Sequence, residues 1–367
     1  MNYYIVAGEA SGDLHGSTLM RALKRQDNEA RFRFWGGDLM IAEGGDLVSH
    51  YKERAYMGIT EVVKNIGTIL GFIKKCKADI LATKPDVLIL IDYPGFNLKI
   101  AKFAREHGIK VHYYISPKVW AWNTKRVEKI KRDVTWLYAI LPFEIEFYKK
   151  HGFKIDYVGN PLMDGIKAFS PNRNFKKEHG FEKPVIALLP GSRKNEVEHI
   201  LPVMLSVVDL FPQYQFVIAG NASLAVEQYS SLDPEGKVPV VTGQTYDLIS
   251  NAEAALVCSG TATLETALLN CPEVVCYKFS AISYMIGKMV VKLDYISLVN
   301  LIMNRLVVTE LIQNELTTKN LKRELENITS NAVKRKDMLI SYAALRIKVG
   351  EAGASERVAE LIYKRSL

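Results

Sequence analysis

Short, strongly apolar runs recur along this chain, and each is closed by a turn of small or acidic residues before a helical pattern begins. Residues 3–7 run into the glycine-rich turn 8–13, and residues 16–25 then read as a helix. Val87–Ile91 is followed by a turn at 93–95, and residues 110–115 and 136–141 continue the series. Strands that alternate with helices are joined by crossovers, and crossovers put helices on both faces of a parallel sheet. Around 160–184 the pattern breaks into NPLMDGIKAFSPNRNFKKEHGFEKP, whose Pro, Gly, Asn and Lys read as an interdomain segment. The alternation then restarts, with strands expected at 184–189, 215–219, 238–241 and 254–258. The expected fold class is α/β, with two Rossmann-like domains facing a cleft. The expected boundaries are 1–165 for the first domain, 166–340 for the second and 341–367 for a charged helical tail able to pack back on the first.

Length and composition agree with this division. A chain of 367 residues is long for one core, and 48% hydrophobic with 24% charged residues is ordinary globular composition. The formal net charge of +8 favours acidic partners such as phosphates or anionic lipid. The positive charge is dispersed and no RRM, KH or zinc-finger pattern occurs, so no nucleic-acid partner is expected. The four cysteines, Cys76, Cys258, Cys271 and Cys276, form no C-x-x-C pair, which suits a reducing cytosol. The opening run is too short for a signal peptide, and no 18-residue uncharged apolar stretch exists to span a membrane. Three helices share one stop signal, a histidine then a glycine at His107-Gly108, His151-Gly152 and His179-Gly180. These histidines read as caps rather than catalysts.

Ligands of open parallel sheets bind beyond the carboxyl ends of the strands, so the strand-to-helix turns carry the candidate chemistry. In the first, Gly8, Glu9, Ser11, Gly12 and Asp13 form a turn where backbone could approach a ligand at a helix N-terminus, with Asp13 also placed to cap that helix. In the second, Asp92 ends an apolar run at the sheet's edge, where a carboxylate can act as a general base or can simply open a turn before Pro94. In the third, Gly191 and Ser192 make a turn whose N–H groups could receive a diphosphate, and Arg193 adds a guanidinium fork. In the fourth, Ser259, Gly260, Thr261 and Ala262 open an apolar helix, and Glu265 follows in its first turns, placed to accept from ribose hydroxyls. Two turns lie in each half. No D-x-D pair is present to hold a divalent ion, so no metal is expected, and Arg, backbone N–H groups and helix dipoles would neutralise a leaving phosphate.

These residues together resemble the lipid A disaccharide synthase family, inverting glycosyltransferases of the GT-B type. The resemblance runs through GEASGD at 8–13, MGITEV at 57–62, KPDVLILIDYPGFN at 84–97, YYISPKVWAW at 113–122, LPFE at 141–144, LLPGSRKNEVE at 188–198, SGTATLE at 259–265 and DYISLVN at 294–300. It implies transfer from UDP-2,3-diacylglucosamine to 2,3-diacylglucosamine 1-phosphate (lipid X), giving a β-1,6-linked disaccharide and UDP. It further implies acceptor binding by the first domain, UDP-sugar binding by the second, and no cofactor. Asp92 matches the family's proposed base, Arg193 the arginine of its LPGSR motif and Asn300 the asparagine of its SLPN motif. Val299 stands where that motif has proline, so the loop there is expected to be shaped differently. The implied setting is cytoplasmic, peripheral on the inner face of the inner membrane, with a homodimer left open.

Ile59, Val62, Val63, Ile66, Ile69, Leu70 and Ile73 follow helical spacing, and Lys74, Lys75 and Lys77 cluster after them. Two readings compete: an amphipathic surface for the membrane, or a stripe packed on the first sheet. Other functions compatible with the same nucleotide site are a UDP-sugar epimerase, a peptidoglycan glycosyltransferase, or a non-catalytic nucleotide-regulated protein of the membrane surface.

Overall fold

The computed structural model describes residues 1–53, 66–122, 126–278 and 294–367. The chain divides into two compact units, Met1–Asp164 with Glu351–Leu367, and Gly165–Gly350.

In the first unit, β1 (Asn2–Ala7), β2 (Arg31–Gly36), β3 (Asp46–His50), β4 (Val87–Ile91), β5 (Val111–Tyr114), β6 (Trp136–Ala139) and β7 (Asp156–Tyr157) form one seven-stranded sheet. The order is β3-β2-β1-β4-β5-β6-β7, and every pairing is parallel. Successive side chains of a strand point to opposite faces. Tyr4, Val6, Leu88 and Leu90 enter one core, while Tyr3, Ile5, Val87 and Ile89 enter the other. Both faces are therefore dry, which is why β4 reads as five consecutive apolar residues rather than as an alternation.

Helix Ala10–Gln26 begins several residues earlier than the expected 16–25. Gly12 permits this: a Cβ there would sit 3.2 Å from that of Ala7, so the first turn packs directly against the end of β1. The last helix of the chain, Ala354–Ser366, belongs to the first unit. Its Val358, Ala359 and Ile362 complete one face of the core, and Arg365 forks onto Asp156 of β7 at 2.7 and 3.1 Å. The tail expected from 341 starts later. Ala332–Val349 is one uninterrupted helix of the second unit, so the chain leaves that unit only at Gly350.

The second unit holds β8 (Val185–Leu189), β9 (Gln215–Gly220), β10 (Val240–Thr242), β11 (Ala252–Cys258), β12 (Glu273–Tyr277) and β13 (Thr309–Ile312), in the order β10-β9-β8-β11-β12-β13, again all parallel. Much of the segment read as a linker is built into this unit. Phe175 is fully buried in its core, and Asn172 is tied to Asp247 and Asn251. The three histidines cap helices Pro94–Glu106, Glu144–Lys150 and Phe175–Glu178, each followed by a glycine at positive φ. All four cysteines are free and buried.

Glu273, at the start of β12, is completely buried, and neither carboxylate oxygen has a partner among the described residues. Burial, with repulsion from Glu310 second, holds its carboxyl well above the ordinary value of 4.5. The folded state then keeps a proton that the unfolded chain releases, so stability erodes as pH climbs from 4.5 towards the raised value. Glu273→Gln removes that erosion. Its unfolding midpoint should match wild type near pH 5 and exceed it at pH 8, the gap growing by up to about 1.4 kcal/mol per pH unit. Thermal unfolding across this range checks the prediction; a gap independent of pH would assign the proton to another group.

Candidate active site

The chain reverses its direction of sheet growth between β1 and β4, and again between β8 and β11. At such a switch point the loops on either side diverge and leave a crevice beyond the strand ends. All four candidate turns lie at these two places, two in each unit.

In the first unit, β1 pairs with β4 through Ala7 and Ile91, so Gly8 and Asp92 leave the sheet side by side. The ring of Tyr93 packs on the backbone of Gly8 so closely that a Cβ would fall 2.2 Å from Cδ1. Asp92 and Tyr93 both adopt left-handed backbone, at φ 42° and 49°. Such conformations in residues other than glycine persist only where the surroundings over-determine them. Here the Asp92 N–H donates to the Tyr114 carbonyl at 2.9 Å. The Asp92 carbonyl accepts from the Tyr113 hydroxyl at 2.6 Å and from Asn97 Nδ2 at 2.8 Å. Asn97, fully buried, also reaches the carbonyls of Val6 and Ile91, so one side chain staples both strands at the switch point.

The Asp92 side chain is half-buried. Burial pushes its carboxyl up to about 6, and the nearby Glu9 charge adds to this, against the opposing pull of Lys118 and the Tyr93 N–H. Glu9 and Ser11 are exposed beside it, whereas Gly8 and Gly12 are buried. Asp13 is not a cap of its own helix and has little surface for a ligand. Its carboxylate accepts from the backbone N–H groups of Gly37, Leu39 and Met40, holding the turn after β2. The turn after β6 adds a group that sequence reasoning passed over. Glu144, opening helix Glu144–Lys150, is buried and accepts from Trp120 Nε1 and the Leu141 N–H; burial lifts its carboxyl to about 7.

In the second unit, three loops meet. Ser223, after β9, donates to the Ser192 carbonyl at 3.3 Å. The N–H groups of Ser192 and Arg193, expected to be open for a diphosphate, already donate to Glu196 Oε2 at 3.1 and 3.2 Å. Arg193 Nη1 lies 3.1 Å from Glu196 Oε1, while most of the guanidinium side chain is exposed at 79%. The turn is thus filled by a carboxylate of its own helix, and what Arg193 presents outward is charge. Across the switch point, Gly260 and Thr261 are exposed at the start of helix Thr261–Leu268, whose first N–H groups are the orphan donors of a helix N-terminus. A Cβ on Gly260 would meet nothing within 4 Å. Ser259 Oγ is turned away to the Ile296 carbonyl. Burial pushes the Cys258 thiol up to about 12, which leaves it inert.

Glu265 is half-buried, and its Oε1 accepts from the Tyr246 hydroxyl at 2.8 Å. Asn300 sits differently from a ligand-binding group. It is fully buried, its Nδ2 donates to the Val308 carbonyl and Glu310, and its Oδ1 accepts from the N–H groups of Val307 and Val308. Every hydrogen-bonding position of its side chain is used within the unit, and Glu310 also receives the N–H groups of Ile296 and Ser297. Asn300 is a staple for the loops that flank β13.

Of the apolar stripe, Ile59, Val62 and Val63 lie outside the described residues, as does the side chain of Ile66. In helix Ile66–Thr83, Ile73 is buried in the core and Ile69 packs against it, so these two are core positions; Leu70 is 54% exposed. Lys75 donates to the Val48 carbonyl and lies over Trp35, Lys77 lies over Phe103, and Lys74 is exposed. Among the described residues no group of three or more His, Cys, Asp or Glu is placed to hold a metal ion.

Asn300→Ala would take the side-chain partner from three backbone groups at once, the N–H groups of Val307 and Val308 and the Val308 carbonyl. The expected loss is about 1–3 kcal/mol, the desolvation cost of orphaned polar groups, and denaturant unfolding of the purified variant measures it. A variant as stable as wild type would mean that water or a rearranged loop replaces the staple.

The comparisons with known proteins agree across the chain. The family model for lipid-A-disaccharide synthetase matches residues 3–361. A protein of Syntrophus aciditrophicus named lipid-A-disaccharide synthase is 41% identical over 365 residues, covering 97% of this chain and 95% of that one. One of the same name from Myxococcus xanthus is 37% identical over 368 residues, covering 98% and 96%. Among solved structures, a UDP-GlcNAc 2-epimerase from Neisseria meningitidis bound to UDP-GlcNAc superimposes with a TM-score of 0.68 at 15% identity, over 99% of this chain and 100% of that one. The glycotransferase of kitacinnamycin does so with a TM-score of 0.65 at 14% identity, over 100% and 99%. At such identities these two share the fold, GT-B in type.

Proposed function

Because the chain belongs to the lipid-A-disaccharide synthetase family, we propose that it is an inverting glycosyltransferase that joins UDP-2,3-diacylglucosamine to 2,3-diacylglucosamine 1-phosphate. The observation that carries the mechanism is Asp92, a strained, half-buried carboxylate at the switch point of the first sheet. The acceptor's 6-hydroxyl oxygen attacks C1 of the donor sugar from the face opposite UDP. Its proton passes to the Asp92 carboxylate as the new C–O bond forms. The bond between C1 and the β-phosphate oxygen breaks, and its electron pair leaves with UDP. A base held near 6 is largely ionised at neutral pH and remains a competent proton acceptor.

The leaving diphosphate gathers charge. In this reading Arg193 and the first-turn N–H groups of helix Thr261–Leu268, at Gly260, Thr261 and Ala262, receive it. Gly191 and Ser192, filled by Glu196, shape the loop that carries Arg193. Glu265 accepts from ribose hydroxyls, and Asn300 acts by holding its loop rather than by touching the nucleotide. Glu9 and Ser11 lie at the acceptor side, with Gly8, Gly12 and Asp13 setting the loop's path. Incubation with both lipid substrates, followed by mass spectrometry of the product, tests the whole assignment; turnover of the UDP-sugar without acceptor would point to an epimerase instead.

Asp92→Asn should keep UDP binding and lose roughly 10²-fold or more in turnover, as removal of a general base does. In wild type, kcat/KM should fall as pH drops below about 6, where the base takes up its proton. Near-normal turnover of the variant would end the assignment. Arg193→Ala should weaken UDP binding and slow turnover together, and chelator should leave wild-type turnover unchanged; a strict need for Mg²⁺ or Mn²⁺ would contradict the role given to Arg193.

Both substrates carry acyl chains, so attachment to the inner face of the inner membrane is part of this reading. No helix among the described residues is long and apolar enough to cross a membrane. Leu70, with Lys74 a turn further on, is the exposed part of the described stripe. Leu70→Glu is expected to weaken binding to anionic vesicles and leave the unfolding midpoint in place. Ile73→Glu should instead destabilise the fold by several kcal/mol, because it buries an unpaired charge. Unchanged vesicle binding by Leu70→Glu would remove this helix from the membrane surface.

A further inference from the structure

Tyr246 has no part in the chemistry above, yet among the described residues it makes the one side-chain hydrogen bond to the Glu265 carboxylate. It lies on helix Thr245–Ser250, whose Leu248 and Ile249 are buried in the core of the second unit. Its ring stands edge-on to Phe169, with centroids 5.4 Å apart and planes at 84°. From that anchored position its hydroxyl donates to Glu265 Oε1 at 2.8 Å. A phenol has a single proton to give, and an ionised carboxylate can only accept, so the direction of this bond is set. Among the described residues Glu265 Oε2 has no hydrogen-bond partner, and the residue is half-buried, so this second oxygen is uncommitted.

We infer that Tyr246 is a positioning residue for the nucleotide: it takes Oε1 of Glu265 and thereby turns Oε2 toward the ribose hydroxyls of a uridine diphosphate. This rests on the reading of Glu265 given above. A carboxylate pinned at one oxygen presents the other along one direction, whereas an unpinned one rotates and must be ordered at the moment of binding. The hydroxyl of Tyr246 therefore acts on ligands that carry ribose hydroxyls and is silent towards those that lack them.

Calorimetric titration of the full-length chain with UDP and with 2′,3′-dideoxy-UDP separates the possibilities. Wild type should prefer UDP by on the order of tenfold, the scale of a hydrogen bond to a charged group. Glu265→Gln should lose most of this preference. Tyr246→Phe, which removes one oxygen atom and keeps the ring, should reduce the preference by about threefold with dideoxy-UDP binding and the unfolding midpoint unchanged. The double variant should fall no further than Glu265→Gln. Phe169→Leu is the control for packing alone and should leave the preference intact. An unaltered preference in Tyr246→Phe, beside a reduced one in Glu265→Gln, overturns the role of Tyr246. Equal weakening for both nucleotides in Tyr246→Phe also overturns it, since that is the mark of a structural residue. An unaltered preference in Glu265→Gln sinks the ribose reading of Glu265 and this inference with it.

Discussion

The parallel pairing of the strand that opens each sheet with the strand added after the reversal is the constraint on which the rest depends. β1 lies against β4 with Ala7 level with Ile91, and β8 lies against β11 with Leu189 level with Val257. Parallel strands need a crossover, so the loop leaving each of these four strands rises at the same edge of its sheet. The chain turns one way after the first strand and the other way after the fourth, so the two loops diverge beyond the strand ends. Gly8 and Asp92 come together for this reason, and so do Arg193 and Gly260. Both halves follow one strand order although no repeat is visible between their sequences, because what they share is topology and not side chains.

Within that frame, carboxylates and amides divide their labour by burial. Asp13, Glu196, Asn97 and Asn300 spend most of their hydrogen bonds on backbone, and so hold the turns at the strand ends. Asp92 is different: its backbone is over-determined by Tyr113, Tyr114 and Asn97, and its side chain is left with repulsion from Glu9 and burial as its main influences. The cost of a left-handed aspartate and tyrosine in sequence is carried by those three partners. The same economy governs Glu265, where one oxygen is committed to Tyr246 and the other is not.

The strands were legible because burial on both faces leaves a continuous apolar run, as in Val87–Ile91 and Val185–Leu189. The helix stops at His107-Gly108, His151-Gly152 and His179-Gly180 were legible because only glycine takes the left-handed conformation there freely. The start of helix Ala10–Gln26 was hidden because its first turn is made of small polar residues that propensity assigns to a loop, and packing of Gly12 on Ala7 overrides propensity. The segment 160–184 read as a linker on composition, yet Phe175 is fully buried in the core of the second unit and Phe181 packs against it.

The sequence by itself determined that the chain makes parallel α/β layers, that four glycine-bearing turns stand at strand ends, and that Asp92, Arg193 and Glu265 stand in or just beyond them, since these follow from local periodicity and from which residue types tolerate a turn. Only the tertiary structure decided what each polar side chain was free to do. Asn300 and Asp13 lie in motifs as suggestive as that of Asp92, yet their partners, Val308 and Glu310 for one, Gly37 and Met40 for the other, arrive from other parts of the chain. Tyr246 lies in no motif, and its link to Glu265 spans 19 residues. A hydrogen bond saturates its donor and acceptor, so whether a polar group is spent or available depends on which partners folding brings within about 3 Å, and a single sequence does not contain that distance.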